Sequence, residues 1–250
     1  MRIAYFDCFS GIAGDMILGA LIDAGCPIRY LKKELNKLCV KDYSLNIKRV
    51  EYNHISGVDV QVEYQDTSTP RNLSDINDII INSDLDESVR NLSLRIFHRL
   101  AEAESRVHNT AIDKVHFHEV GAIDSIIDIV GSVICYSYHN IDEVYSSSLP
   151  MGSGFVDCSH GLIPLPAPAT VELVKGVPVY SDERGYELVT PTGAAILTTL
   201  ARYYGRMPLM RIRSVGYGAG KTMHCYPNML RVFMGELIQE KERSRNDDES

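Results

Sequence analysis

Hydrophobic and polar positions alternate along this chain in two recurring rhythms, period two and period three to four, and their order predicts the fold. RIAYFD (2–7) reads as a short strand, followed by the glycine turn of FSGIAGD and the apolar periodic stretch MILGALIDAG, closed by Gly25. Pro27 opens a second helical segment, IRYLKKELNKL. Residues 43–50 and 57–64 alternate apolar and polar positions, with Leu45 and Ile47 in the first and Val58, Val60 and Val62 in the second, so two strands are expected, joined through NHISG. QDTSTPRN (65–72) is polar and turn-rich and is expected to be a loop. Ser74 is a candidate cap for SDINDIIINS. A longer helix follows, with Val89, Leu92, Ile96, Leu100, Ala103 and Val107 on one face.

In KVHFHEVGAIDSIIDIVG (114–131) the rhythm changes midway. His116 and His118 fall on one side of an extended segment. From Gly121 onward Ile123, Ile126, Ile127, Val130, Val133 and Ile134 recur at helical spacing, placing Asp124 and Asp128 one turn apart. A strand is expected around EVYSSSL. Beyond Pro150 the texture turns rich in glycine and proline, with short helices expected after Pro168 and after Thr190-Pro191. Strands near 210–217 and 229–236 complete the pattern. The alternation predicts an α/β protein, with α+β as the alternative: a mixed sheet flanked by helices and a glycine/proline-rich second half. Residues 1–150 are expected to form an N-terminal lobe and 151–238 a second lobe or a continuation of the same domain. The charged tail, 239–250, is expected to be disordered.

Composition narrows the function classes. At 250 residues, with 45% hydrophobic and 23% charged residues, the chain suits a globular protein with a proper core. A net charge of −8 with no basic run argues against a general nucleic-acid binder. No stretch approaches the roughly 18 apolar residues of a membrane span. MRIAYFDCFSG does not read as a signal peptide, so a cytoplasmic location is expected. The six cysteines are scattered without a C-x-x-C pair and are expected to be reduced.

Chemistry concentrates in a few segments. The HFHE run followed by two aspartates is a metal-ligand or acid–base inventory, with His116, His118, Glu119 and Asp124 as catalytic candidates and His116, His118 and Asp128 as metal ligands. Singly, each has an ordinary structural role, Asp124 as a helix cap for example; clustered, they need a reason to be retained. In DCFSGIAGD, Asp7 and Asp15 are metal candidates, and Ser10, Gly11 and Gly14 candidates for contact with a phosphate. Thr190 and Thr192 open a helix whose N-terminus suits an anion. His160 is a candidate metal ligand or proton shuttle, or a turn histidine. SVGYGAGKT lacks the first glycine of a P-loop, although Lys221 remains a candidate donor. There is no G-x-S-x-G elbow and no H-E-x-x-H.

Five segments, in order, carry a resemblance: DCFSGIAGDMILGALIDAG, HFHEVGAIDSIIDIVG, LPMGSGFVDCSHGLIPLPAPATVELVKGVPVY, ELVTPTGAAIL and GYGAGKTMHCYPNMLRV. Together they resemble the nickel insertion proteins that complete the nickel-pincer nucleotide cofactor of lactate racemase (the LarC family). The resemblance implies a CTP-dependent cyclometallase that inserts Ni²⁺ into pyridinium-3,5-bisthiocarboxylic acid mononucleotide, forming nickel–sulfur and nickel–carbon bonds. It further implies that this chain is the N-terminal portion. CTP, with Mg²⁺ or Mn²⁺, would bind a separate C-terminal partner or domain; a homo-oligomer is left open. Some members carry a histidine-rich tract; YQDTSTPRN has no histidine, so a high-capacity nickel store is not expected. Two other readings of the His/Asp cluster stand beside this one, a metal-dependent hydrolase and a non-catalytic nickel metallochaperone or scaffold.

Overall fold

A computed structural model describes residues 1–41, 43–64, 71–117, 123–158, 161–221 and 226–238, and of His116 the backbone alone. In chain order the elements are β1 (Arg2–Asp7), α1 (Gly14–Asp23), α2 (Ile28–Leu35), β2 (Tyr43–Tyr52), β3 (Ile55–Tyr64), β4 (Arg71–Asn72), α3 (Leu73–Ile81) and α4 (Glu87–Val107). There follow β5 (His116–Phe117), α5 (Ile123–His139), β6 (Glu143–Ser146), β7 (Leu149–Met151), β8 (Phe155–Cys158), β9 (Gly161–Pro164) and α6 (Pro168–Leu173). The chain continues with β10 (Val179–Ser181), α7 (Pro191–Leu200), β11 (Ala201–Tyr204), β12 (Met210–Ala219) and β13 (Met229–Leu237).

Seven strands form one mixed sheet in the order β11-β6-β1-β13-β12-β3-β2. Strands β11, β6 and β1 run parallel, β13 is antiparallel to both β1 and β12, and β12 runs parallel to β3. The expected α/β architecture is therefore present. The sheet draws β1, β2, β3 and β6 from before residue 150 and β11, β12 and β13 from after it. Central position explains why RIAYFD is apolar on both faces: Ile3, Ala4, Tyr5 and Phe6 are all buried. Edge strand β2 instead alternates, as a half-solvated strand should.

The hairpin joining β2 and β3 is tighter than expected. Asn53 and His54 form the turn in the left-handed region (φ 50° and 64°), and Ile55, Ser56 and Gly57 already belong to β3. Helix α3 starts earlier than Ser74 would have it. Asn72 is the cap, accepting from the Asp75 N–H at 3.0 Å while the Asp75 carboxylate accepts from the Asn72 N–H at 2.9 Å. Asp75 lies three residues after Asn72 and closes this reciprocal pair, so the cap falls two residues earlier. Arg71 and Asn72, the end of the expected loop, pair instead with Phe117 and His116; residues 65–70 and the tail 239–250 lie outside the described residues. Thr190 caps α7 as the sequence predicts, accepting from the Gly193 N–H at 3.1 Å with Pro191 at the first helical position. Among the described residues no helix is long and apolar enough to cross a membrane.

Helix α1 is buried almost all round, packed between β12 and β3 on one side and α5 on another. It approaches β12 backbone to backbone. A Cβ at Gly218 would fall 1.8 Å from the Met16 carbonyl oxygen and 2.7 Å from the Ala20 nitrogen, so only glycine permits this seat. Replacing Gly218 with valine is expected to cost about 1–3 kcal/mol or more, by the magnitude typical of overpacked cores. Gly185, around which nothing lies within 4 Å, should tolerate alanine within about 0.5 kcal/mol. Urea unfolding of both variants against the parent checks the contrast; equal midpoints would show that α1 is not seated as described.

Candidate functional site

The turn after β1 is stitched to a distant segment. The Ile12 N–H donates to the Leu188 carbonyl at 2.7 Å, and the Thr190 N–H donates to the Ile12 carbonyl at 3.1 Å. Gly11, at φ 95°, is pressed against the same Leu188 carbonyl. This stitching brings the N-termini of α1 and α7 side by side. Helix α5 packs along α1 and adds its own N-terminus. The three first turns wall a cleft of about 460 Å³, completed by Gly185–Leu188, Lys221 and Asn228. Each helix terminus carries a partial positive charge from first-turn N–H groups that have no partner within the helix.

Carboxylates occupy this positive field. Asp15 is 6% exposed and accepts from the Met16 N–H at 2.8 Å; its other oxygen stands 3.5 Å from the Lys221 ammonium. Asp124 repeats the arrangement on α5, accepting from the Ser125 N–H at 2.8 Å. Asp128, one turn on, is 8% exposed, and its Oδ1 is buried without a hydrogen-bond partner among the described residues. Gly14 makes the juxtaposition possible: a Cβ there would stand 2.8 Å from Thr192 Cγ2 and 3.0 Å from Asp128 Cβ.

Burial, and then the neighbouring charge of Asp15, push the Asp128 carboxyl well above the usual range; Lys221 pulls the other way and Asp124 adds to the rise. Burial also raises Asp15, against the opposing charge of Lys221. Burial works against the Lys221 ammonium, but Asp15, Asp128 and Asp124 outweigh it and hold that group charged. The cleft thus contains one carboxyl poised to keep a proton beside a carboxylate pinned by a lysine, an arrangement suited to proton transfer.

Among the residues singled out from sequence, Gly14, Asp15, Asp124, Asp128, Thr190 and Thr192 all line this cleft. Asp7 does not: at the end of β1 its Oδ2 accepts from Arg231 Nη2 at 2.6 Å and Nε at 3.1 Å. Ser10 is buried and accepts from Arg184 Nη1 at 3.0 Å, on the wall of a neighbouring cleft. His116 holds its place in β5, while His118, Glu119 and His160 lie outside the described residues. Among the described residues no group of three or more His, Cys, Asp or Glu side chains is arranged to hold a metal ion. Cys8 is a buried thiol whose pKa burial pushes up to about 12, which makes it unreactive.

Asp59 escaped the sequence reading. It sits on β3 opposite Ala219, is 4% exposed, and keeps an unpartnered Oδ1 while Oδ2 accepts from Gln61 Nε2 at 2.9 Å; its charge contributes to the rise of Asp15. The one local signal is an acid between Val58 and Val60, both buried, in a strand whose alternation suggests an outward-facing polar residue. Arg184 escaped too, because its partners Phe9 and Ser10 lie about 175 positions away.

The comparisons with known proteins agree over nearly the whole chain. The family model described as "Nickel insertion protein" matches residues 4–250. A "Putative nickel insertion protein" of Dictyoglomus thermophilum is 50% identical over 246 residues, covering 98% of this chain and 64% of that protein. One from Geotalea uraniireducens is 50% identical over 239 residues, covering 94% and 61%. A protein of Desulfitobacterium hafniense named "Pyridinium-3,5-bisthiocarboxylic acid mononucleotide nickel insertion protein" is 48% identical over 240 residues, covering 96% and 60%. The chain therefore spans about three fifths of the length of these relatives. No solved structure matches it. With its sequence matched from residue 4 to its end and half of its residues shared with such relatives, this chain belongs to the nickel insertion protein family.

Proposed function

We propose that this chain carries the nickel and proton chemistry of inserting Ni²⁺ into pyridinium-3,5-bisthiocarboxylic acid mononucleotide, the substrate named for the Desulfitobacterium hafniense relative. The observation that carries this reading is the Asp128 carboxyl, buried with one oxygen unpartnered beside Asp124 in the three-helix cleft. Forming a nickel–carbon bond requires the ring carbon to lose its proton, leaving the C–H electron pair to the metal. A carboxylate made more basic by burial is suited to accept that proton. Lys221 and the N-termini of α1, α5 and α7 offer the substrate's anionic groups a positive field.

Nickel, the metal substrate, is well served by imidazole with carboxylate support. His116 and His118, with Glu119, precede Asp124 by only a few residues and are our candidates for its ligands; Asp15 and His160 complete the proposed set, leaving Asp128 free as the base. Among the described residues no carboxylate cluster is arranged to hold a metal ion by itself. CTP, with Mg²⁺ or Mn²⁺, is assigned to the portion of the longer relatives outside this chain. That portion is expected to be needed as a partner, a point favoured by the coverage of 60–64% of their lengths.

Replacing both His116 and His118 with alanine is expected to abolish most nickel binding by the purified chain, read by equilibrium dialysis. Unchanged nickel binding together with unchanged cofactor maturation would sink the ligand assignment. Asp128→Asn, assayed with the precursor, CTP and the remaining portion of a longer relative supplied, should lower insertion by about 10²–10⁴-fold, the usual contribution of a positioned base. The same substitution has a signed effect on stability. The Asp128 pKa is raised in the folded state, so the stability of its neutral form is complete below the unfolded value of about 3.9 and is lost as pH rises through the folded value. The always-neutral asparagine variant should match the parent near pH 4 and melt above it at pH 7.5. A difference independent of pH would show that Asp128 ionises normally.

A further inference from the structure

A second cleft, of about 580 Å³, adjoins the first. The walls of the two are continuous in sequence: Arg184 lines one and Gly185 the other, and Pro227 and Asn228 divide in the same way. Its distinguishing side chains are two aromatic rings, Phe9 (37% exposed) and Tyr226 (59% exposed). Both rings are accompanied by guanidinium groups, Arg231 lying 5.6 Å from the Phe9 centroid and Arg184 6.0 Å from that of Tyr226.

Neither guanidinium is spare. Arg184 donates from Nε and Nη2 to Asp182 at 2.8 and 2.7 Å, from Nη2 to the Phe9 carbonyl at 3.1 Å and from Nη1 to Ser10 Oγ at 3.0 Å. Arg231 is committed to Asp7. Arg184, the cation on this wall, is matched by Asp182, and Glu183 leaves the cleft with no net positive charge to offer an anion. Glu183, exposed on the wall, adds a carboxylate with no ion-pair partner among the described residues. What remains is two partly exposed aromatic rings, each approached by a guanidinium already matched to a carboxylate, and a local excess of negative charge from Asp182 and Glu183 against Arg184. That combination selects a flat aromatic ring carrying positive charge.

We infer that this aromatic cleft holds the pyridinium ring of the mononucleotide substrate, between Phe9 and Tyr226, with the ring's reacting edge turned toward the acidic cleft. The inference rests on the proposed function and adds to it a place for the ring. It separates two tasks. The acidic cleft supplies groups for nickel, for the proton and for the anionic arms, whereas the aromatic cleft supplies a grip on the cationic ring. Lys221 and the helix N-termini, along the shared wall, remain available to the anionic arms.

The test titrates the full chain calorimetrically with nicotinamide mononucleotide, a pyridinium mononucleotide, and with its reduced dihydropyridine form, which lacks the ring charge. The parent should bind the oxidised probe at least about tenfold more tightly than the reduced one, the scale of a partly desolvated cation–π contact. Phe9→Leu and Tyr226→Leu should each weaken the oxidised probe by about five- to thirtyfold, in the range found for aromatic stacking on a ring. Both side chains are exposed, and an unchanged melting temperature confirms that the variants are folded. Equal binding of both probes, no binding of the oxidised probe by the parent, or leucine variants that bind like the parent would each overturn the inference. Cofactor maturation by the parent with the remaining portion of a longer relative added is measured in parallel. If maturation proceeds while the leucine variants bind normally, the ring lies elsewhere and the proposed function stands. If the parent supports no maturation, both fall together.

Discussion

The seating of helix α1 against the sheet is the contact on which the site depends. Backbone atoms of α1 touch β12 where Gly218 has no side chain, and the helix N-terminus meets α5 and α7 where Gly14 has none. At this separation Asp15 and Asp128 share one desolvated space, so their charges act on each other through protein instead of water. A helix held farther out by even one methyl group would admit solvent and leave two ordinary aspartates.

Such a cluster is costly, and its surroundings show how the cost is met. Asp15 and Asp124 each accept a backbone N–H from the first turn of their own helix, and Lys221 supplies a countercharge to Asp15. Asp128 has no comparable partner for one oxygen and responds by holding its proton more tightly. The asymmetry among the three acids therefore follows from the order in which they meet helix ends, lysine and burial. The same fold gives the adjoining cleft an opposite character, with its arginines neutralised and its aromatic faces exposed. Our reading joins the two: nickel and proton transfer on the acidic side, recognition of the charged ring on the aromatic side.

Much of this was legible in the residues. The alternation of apolar positions anticipates β2, β3, β12 and β13; the periodic isoleucines mark α5; and Thr190-Pro191 announces the start of α7. Gly14, Asp15, Asp124, Asp128, Thr190 and Thr192 were recognisable as candidates because each stands at a predicted helix start or one turn beyond it, where chemistry and capping coincide. Asp7 has the same local signature as Asp15 yet faces Arg231, a partner 224 positions away. Asp59 was missed because strand alternation assigns polar residues to solvent, and only the strand's place beneath α1 buries it.

The sequence by itself determined the α/β class, the start of α7 and the family, because these rest on local periodicity, capping chemistry and residue identity. Which acids share a cleft, which arginines are spoken for and which aromatics stay exposed were decided by the tertiary structure alone. The physical reason is range. Propensity and capping act over a few residues, whereas desolvation and ion pairing depend on atoms that chain topology brings together from opposite ends of the sequence.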